Sequence, residues 1–174
     1  ELFYSVHQVI ARLALANQGY EFIIKPKWYS GLWKELIDRA LERELGDYDM
    51  RPANLFVTDT QAAQDLIHNS GLVVAFNSTT IVEAILQKKP TIVPWYAEAA
   101  GQYQHNVFYK KYEDAFLVAK SEKEMETRVG EFIQGNLVDH TQPEQLLSDV
   151  CGPHDGKSSE RIERAILGLQ EAVI

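Results

Sequence analysis

Short apolar runs alternate with longer amphipathic segments along most of this chain, and that alternation restricts its fold more than any other feature. Strand-like runs occur within YEFIIKP, NLFVTD, GLVVAF and TIVP, and a segment with helical spacing lies between each pair. GLVVAF is almost continuously apolar, as a parallel strand covered by helices on both faces requires. Strands that alternate with helices form right-handed crossovers. We therefore predict one α/β domain over residues 1–174, with an open parallel sheet and helices on both faces.

The amphipathic segments carry apolar residues at the three- and four-residue spacing of a helix. Ser121 and Glu124 form a capping box, and Asp59 or Thr60 can cap the third helix. Residues 95–113 are irregular and rich in aromatic side chains, a short strand AFLVA follows them, and a polar connection leads to the last helix. The predicted helices are ELFYSVHQVIARLALA, GLWKELIDRALEREL, QAAQDLIHNS, TTIVEAILQKK, EKEMETRVGEFIQG and SSERIERAILGLQEAVI.

Charge and cysteine content restrict the partners and the compartment. The net charge of −8 argues against nucleic acid, whose phosphates require a broad basic surface, but it permits a small anionic ligand. Cys151 is the single cysteine, which agrees with a reducing compartment. No apolar run is long enough to predict a transmembrane segment. We expect a cytoplasmic location, with peripheral attachment to the inner face of the cell membrane as an alternative, and a chain that continues upstream of Glu1.

Polar loops follow the predicted strands, and ligands of open α/β sheets bind at the carboxyl ends of the strands. The loop Asn77-Ser78-Thr79-Thr80 joins an apolar strand to a helix, so backbone N–H groups and small hydroxyls gather there. A helix N-terminus of this kind binds phosphate. The same side chains also serve as ordinary helix caps, and that alternative stays open. Loops 26–30, 59–61 and 95–101 complete the predicted rim.

Three further charged residues point to the same ligand chemistry. Glu83 lies one turn into the helix on the side of Thr79, where a carboxylate can accept bonds from ribose hydroxyls or compensate the helix dipole. Lys25 and Lys27 flank Pro26 after the first strand, where an ammonium can bind phosphate or lie on the surface as most lysines do. The pattern predicts a phosphate and ribose site.

The remaining candidates are less specific. Asp155 begins a turn that leads to Ser158, Ser159 and Arg161, which reads as a helix cap or a second anion contact. Trp95 and Tyr96 are suited to stacking on a base or to packing. The histidines lack metal-ligand spacing, so we predict no metal site. The chain contains no nucleophile elbow, P-loop or dinucleotide fingerprint, and no residue pattern nominates a catalytic residue.

LVVAFNSTTIVEAILQKKPTIVP resembles the donor-binding half of GT-B glycosyltransferases, in which a strand, a small-residue turn, a helix with Glu and a Gly-Lys-Pro step follow one another; here the step is Lys88-Lys89-Pro90. DGKSSERI resembles a D-G-x-x-S-x-R-I segment of bacterial capsule and surface-polysaccharide transferases, including Kdo-transferase-like and CDP-glycerol glycerophosphotransferase-like proteins. The matching positions are Asp155, Gly156, Ser159, Arg161 and Ile162, with Ser158 as an alternative for the serine, and the likeness spans most of residues 20–168.

The resemblance implies a Rossmann-like sheet, one half of the GT-B architecture, that binds a CMP-, CDP- or UDP-linked sugar. It implies that Ser78, Thr79 and Thr80 hold the donor phosphates together with Lys25 and Lys27, and that Glu83 holds the ribose. No metal or other cofactor is implied. The acceptor and the catalytic base would belong to an N-terminal domain. The further donor contacts would be Asn77, Trp95, Tyr96, Asp155, Ser158, Ser159 and Arg161.

Two other functions fit the same residues. An enzyme similar to UDP-sugar 2-epimerases shares the GT-B architecture and a Ser-rich turn followed by Glu, although the scattered His and Asp residues offer no clear acid/base pair. A non-catalytic α/β module could instead use the aromatic segment 95–113 to bind a protein partner.

Overall fold

The computed structural model describes residues 1–27, 30–46, 51–101, 103–153 and 155–171. Helices and short strands alternate within these residues, as the sequence predicts. Three 3-10 turns, Ala97–Ala99, Gln104–Asn106 and Lys110–Ala115, lie between the strands Thr91–Pro94 and Leu117–Ala119. The elements are α1 (Leu2–Ala16), β1 (Phe22–Ile24), α2 (Gly31–Leu45), β2 (Leu55–Val57), α3 (Ala63–Asn69), β3 (Val73–Val74), α4 (Thr80–Leu86), β4 (Thr91–Pro94), β5 (Leu117–Ala119), α5 (Glu122–Ile133), α6 (Glu144–Cys151) and α7 (Ser158–Glu171).

All strand pairs are parallel, which confirms the α/β class. β1 pairs with β2, placing Ile23 opposite Phe56, and β4 lies between β3 and β5, with Ile92 opposite both Val74 and Leu117. Within the described residues no hydrogen bond joins β1 to β3, so the strands form a two-stranded and a three-stranded sheet. The single continuous sheet of a Rossmann-like fold stays a prediction.

Helices cover the three-stranded sheet on both faces because its strands are apolar on both sides. On one face, Val9 of α1 and Met125 of α5 pack against Ile92. On the other, Ile81 of α4 and Leu146 of α6 pack against Val93. α1 also packs against α2 and the two-stranded sheet through Ala11 and Ala14, which are fully buried. α1 therefore connects the two sheets.

The predictions for the helix caps and for the polar connection before the last helix differ in outcome. The capping box is confirmed in part: the Ser121 hydroxyl accepts a hydrogen bond from the Glu124 N–H at 3.1 Å, but the Glu124 carboxylate accepts from the Lys120 N–H at 2.8 Å instead of from the Ser121 N–H. The predicted caps Asp59 and Thr60 are wrong, since α3 begins only at Ala63. Helix α6 forms in the polar connection, where the sequence predicted none, because Leu146 is buried against Tyr112 and Phe116.

Some predictions fall outside the described residues: Trp28 and Tyr29 of the first rim loop, and residues 172–174 of the last helix. None of the helices in the described part of the chain is both long and apolar enough to cross a membrane.

Candidate functional site

Hydrogen bonds connect the loops at the carboxyl ends of the first three strands. The Lys25 ammonium, after β1, lies 3.4 Å from the carbonyl oxygen of Asp59, after β2. Gln64 in the first turn of α3 donates to the Glu83 carboxylate of α4 at 3.1 Å. We call this edge, comprising Lys25, Asp59, Gln64, residues 77–80 and Glu83, the strand-end rim.

The turn that follows β3 is held by Asn77. Its backbone has φ +46°, a left-handed conformation that Asn tolerates better than most residues. The side-chain amide donates to the Asn106 carbonyl at 3.1 Å, and the amide oxygen accepts from the Phe108 N–H at 2.9 Å. Asn77 therefore fixes the turn against the loop that follows β4. The predicted contact of Asn77 with a nucleotide-sugar donor is compatible with this structural role, but the position of Asn77 is explained without that contact.

Ser78 fills the role of the helix cap, the alternative that the sequence left open. Its hydroxyl accepts from the Thr80 N–H at 3.1 Å and donates to the Thr80 hydroxyl at 2.8 Å. Within the described part of the chain, the backbone N–H groups of Ser78 and Thr79 have no acceptor. Helix capping explains why hydroxyl side chains occur in this turn, but it does not use the adjacent N–H groups of Ser78 and Thr79. Adjacent backbone N–H groups of this kind can bind an anion.

Glu83 lies beside the turn, as its spacing predicts. One carboxylate oxygen accepts from the Thr79 hydroxyl at 3.2 Å, and the other accepts from Gln64. Glu83 is half-buried and Thr79 and Gln64 are exposed, so the carboxylate is at the surface of the rim. Both of its present donors are side chains that the hydroxyl groups of a ligand can replace.

The two predicted lysines differ in their surroundings. Lys25 is half-buried, and its ammonium also donates to the Pro26 carbonyl at 3.1 Å. Because both acceptors of Lys25 are neutral carbonyls, its positive charge remains available to an anion at the rim. Lys27 is exposed.

The aromatic candidates lie largely inside the protein. Tyr96 is 7% exposed, and its hydroxyl is 3.0 Å from the Ser5 hydroxyl. Trp95 is partly buried and packs against the cluster that Tyr96 forms with Leu2 and Val107. The structure gives Tyr96 a packing role and leaves little of its ring open for a base. The exposed aromatic side chains of this segment are instead Tyr103 and Phe108.

The C-terminal candidates bind one another. Arg161 donates to both carboxylate oxygens of Asp155, at 2.8 and 3.0 Å, and to the Ser158 hydroxyl at 3.2 Å. The hydrogen bond from Arg161 lowers the pKa of Asp155. Every described side chain from Asp155 through α7, including Ser159, is exposed, and none bonds to the strand-end rim. The structure therefore does not bring this segment to the predicted site.

Sequence reasoning missed Gln64 as a member of the rim. Gln64 lies on an exposed surface of a short helix, where no local pattern separates it from a solvated polar residue. Among the described residues, no group of three or more His, Cys, Asp and Glu side chains is arranged to hold a metal ion.

Comparison with known proteins provides no family assignment. The chain matches no protein-family model, no curated protein and no solved structure. The resemblance to GT-B donor-binding domains thus rests on the sequence motifs alone.

Replacement of Asn77 separates the two contributions that this residue makes. Asn77→Gly keeps the left-handed turn but loses both side-chain hydrogen bonds, whereas Asn77→Ala loses the bonds and adds backbone strain. We expect losses of about 1 kcal/mol and about 2 kcal/mol in the free energy of unfolding, respectively. Urea denaturation measures both values. In both variants the Phe108 amide should exchange its hydrogen faster, and unchanged exchange would contradict the assigned bond.

Proposed function

We propose that this chain is the donor nucleotide-sugar-binding domain of a glycosyltransferase that builds a bacterial surface polysaccharide. The observation that carries the proposal is the strand-end rim. Its hydrogen bonds link the Lys25 ammonium to the loop after β2, and link α3 to the Glu83 carboxylate. Glu83 in turn contacts a turn in which two backbone N–H groups have no acceptor among the described residues. Each of these groups matches one part of a nucleoside diphosphate.

The phosphates are the first part. The N–H groups of Ser78 and Thr79 and the hydroxyl of Thr80 supply neutral donors, and Lys25 and Lys27 supply positive charge. Phosphate bound there would accumulate negative charge when the sugar leaves, and fixed donors stabilise that charge without a metal ion.

The ribose is the second part. The Glu83 carboxylate already accepts two hydrogen bonds from neutral donors, so the two hydroxyls of a ribose can take their place. Such bonds to an ionised acceptor are stronger than bonds between neutral groups. Glu83 would in this way select a nucleotide over inorganic phosphate.

The wider architecture belongs to the same proposal. The parallel strands would form part of a Rossmann-like sheet, and an N-terminal domain would bind the acceptor and supply the catalytic base. This chain alone would then bind nucleotide without turnover.

Titration calorimetry with CMP, CDP, UMP and UDP tests the proposal. We expect saturable binding of at least one of the four nucleotides. Glu83→Gln should weaken that binding about 10- to 100-fold, since a hydrogen bond to a charged group contributes roughly 1.5–3 kcal/mol. Glu35→Gln on the exposed surface of α2 is the matched control and should change the affinity less than about twofold.

Two outcomes would overturn the proposal. One is the absence of saturable binding for all four nucleotides. The other is an equal affinity in the Glu83→Gln variant and the wild type, which would place any nucleotide site elsewhere on the protein.

A further inference from the structure

On the edge of β1 that points away from β2, backbone groups lack partners among the described residues. In a parallel strand, the N–H and C=O of one residue point to the same side, and those of the next residue point to the opposite side. Phe22 donates to the Asn54 carbonyl, and the Ile24 carbonyl accepts from Thr58, so both residues face β2 and its flanks. The N–H and C=O of Ile23 therefore face away from β2 and have no described partner.

The edge of β3 that points away from β4 has the same property. Val73 donates to the Pro90 carbonyl and Ala75 donates to the Ile92 carbonyl, so both residues face β4. The N–H and C=O of Val74 therefore point away from β4, with no partner among the described residues. Val74 is half-buried, and a backbone group removed from water without a partner is costly.

These two edges lie beneath the same helix. Phe22 of β1 and Val74 of β3 both pack against the cluster that contains Val9 and Leu13 of α1. Nevertheless β1 and β3 are not hydrogen-bonded and are not close neighbours along their length. Two parallel sheets thus present free edges on either side of a gap that α1 covers.

The position at which α1 begins indicates how a strand would enter this gap. The Leu2 N–H donates to both carboxylate oxygens of Glu98 at 2.9 Å, and Glu98 lies just beyond the carboxyl end of β4. α1 therefore begins at the carboxyl-end edge of the strands. A strand that ends at this edge and continues into α1 would run parallel to β1 and β3, and α1 would form the usual right-handed crossover to β1.

We propose that the gap between β1 and β3 is an acceptor site for one extended, predominantly apolar segment, supplied by the polypeptide that directly precedes Glu1 in a longer chain. The inserted strand pairs with Ile23 on one side and Val74 on the other. It joins the two sheets into one with the order β2-β1-inserted strand-β3-β4-β5. The segment is apolar because α1 covers it. This proposal does not depend on the nucleotide site.

Extension of the chain tests the proposal. One variant carries Thr-Val-Ile-Val-Val-Ser directly before Glu1, and its matched control carries Thr-Gly-Pro-Gly-Pro-Ser, which cannot form a strand. Native-state hydrogen exchange is measured at the amides of Ile23 and Val74. We expect the strand-forming extension to slow both amides at least about tenfold, a factor that corresponds to roughly 1.4 kcal/mol, relative to the control extension and the unextended chain.

A proline variant provides a second measurement. Ile23→Pro removes the N–H that faces the gap and leaves the hydrogen bonds to β2 intact. Proline is therefore tolerated at this position only if no strand pairs with that edge of β1. We expect Ile23→Pro to lower the urea midpoint more in the strand-extended chain than in the unextended one. The proposal is overturned if the two amides exchange equally in all three chains, if they are already protected without the extension, or if Ile23→Pro has equal effects in both backgrounds.

Discussion

Asn54→Asp should lower the free energy of unfolding at pH 7 by about 3 kcal/mol, the largest effect that we expect of a single isosteric substitution in this chain. Asn54 is 8% exposed, and its amide nitrogen lies 3.0, 3.1 and 2.8 Å from the carbonyl oxygens of Ala14, Asn17 and Tyr20. These carbonyls line the connection between α1 and β1. An aspartate would place a negative oxygen against these acceptors and remove their donor.

The pH dependence of the Asn54→Asp variant provides a second test. The surrounding carbonyls and the burial raise the pKa of the introduced carboxyl group, because its protonated form can donate one hydrogen bond. The loss of stability should therefore be smallest below the ordinary aspartate pKa, about 3.9, and grow as the pH rises through the raised pKa.

Urea denaturation at several pH values measures this profile. Asn69→Asp is the control, since Asn69 also donates to a backbone carbonyl but is exposed, and it should change stability by less than about 0.5 kcal/mol. Equal losses in the two variants would contradict the assigned role of Asn54.

Arg12→Met should lower the free energy of unfolding at pH 7 by roughly 2 kcal/mol. The Arg12 guanidinium joins three helices: it bonds to Glu44 of α2 at 2.8 Å, to Glu126 of α5 at 2.7 Å and to Glu122 of α5. Met preserves much of the packing volume but leaves three carboxylates close together. Breaking a fully buried ion pair costs about 3–5 kcal/mol. We expect a smaller loss, roughly 2 kcal/mol, because the Arg12 side chain is 33% exposed.

This effect should depend on pH with a predictable sign. The hydrogen bond from Ser5, opposed by burial and supported by Arg12, lowers the pKa of Glu122 below the ordinary value of 4.5. A lowered pKa means that the ionised network stabilises the wild type above pH 4.5, and that this contribution is lost as the pH falls through the lowered value. The difference between wild type and Arg12→Met should therefore narrow below pH 4.5.

Urea denaturation between pH 3 and pH 7 measures that difference. Arg39→Met is the control, because Arg39 and its partner Glu35 are 63% and 62% exposed, and it should change stability by less than about 0.5 kcal/mol. A difference between wild type and Arg12→Met that stays constant over this pH range would contradict the role of the three carboxylates.

The parts of the site that the sequence predicted are those that depend on neighbours within one element. Thr79 and Glu83 are four residues apart on a helix, so their contact follows from helical geometry. The capping box at Ser121 is local in the same sense. By contrast, the packing of Tyr96 against Ser5 joins residues 91 positions apart, which no local pattern reports.

The sequence by itself determined the alternation of helix and strand, the parallel class of the sheet and the polar turn after β3, because side-chain periodicity and turn chemistry act over a few residues. Only the tertiary structure decided that α6 forms, that Arg12 joins three helices and that the strands divide into two sheets. These outcomes depend on which distant surfaces exclude water together and on which backbone edges find partners, and neither is encoded in any short stretch of the chain.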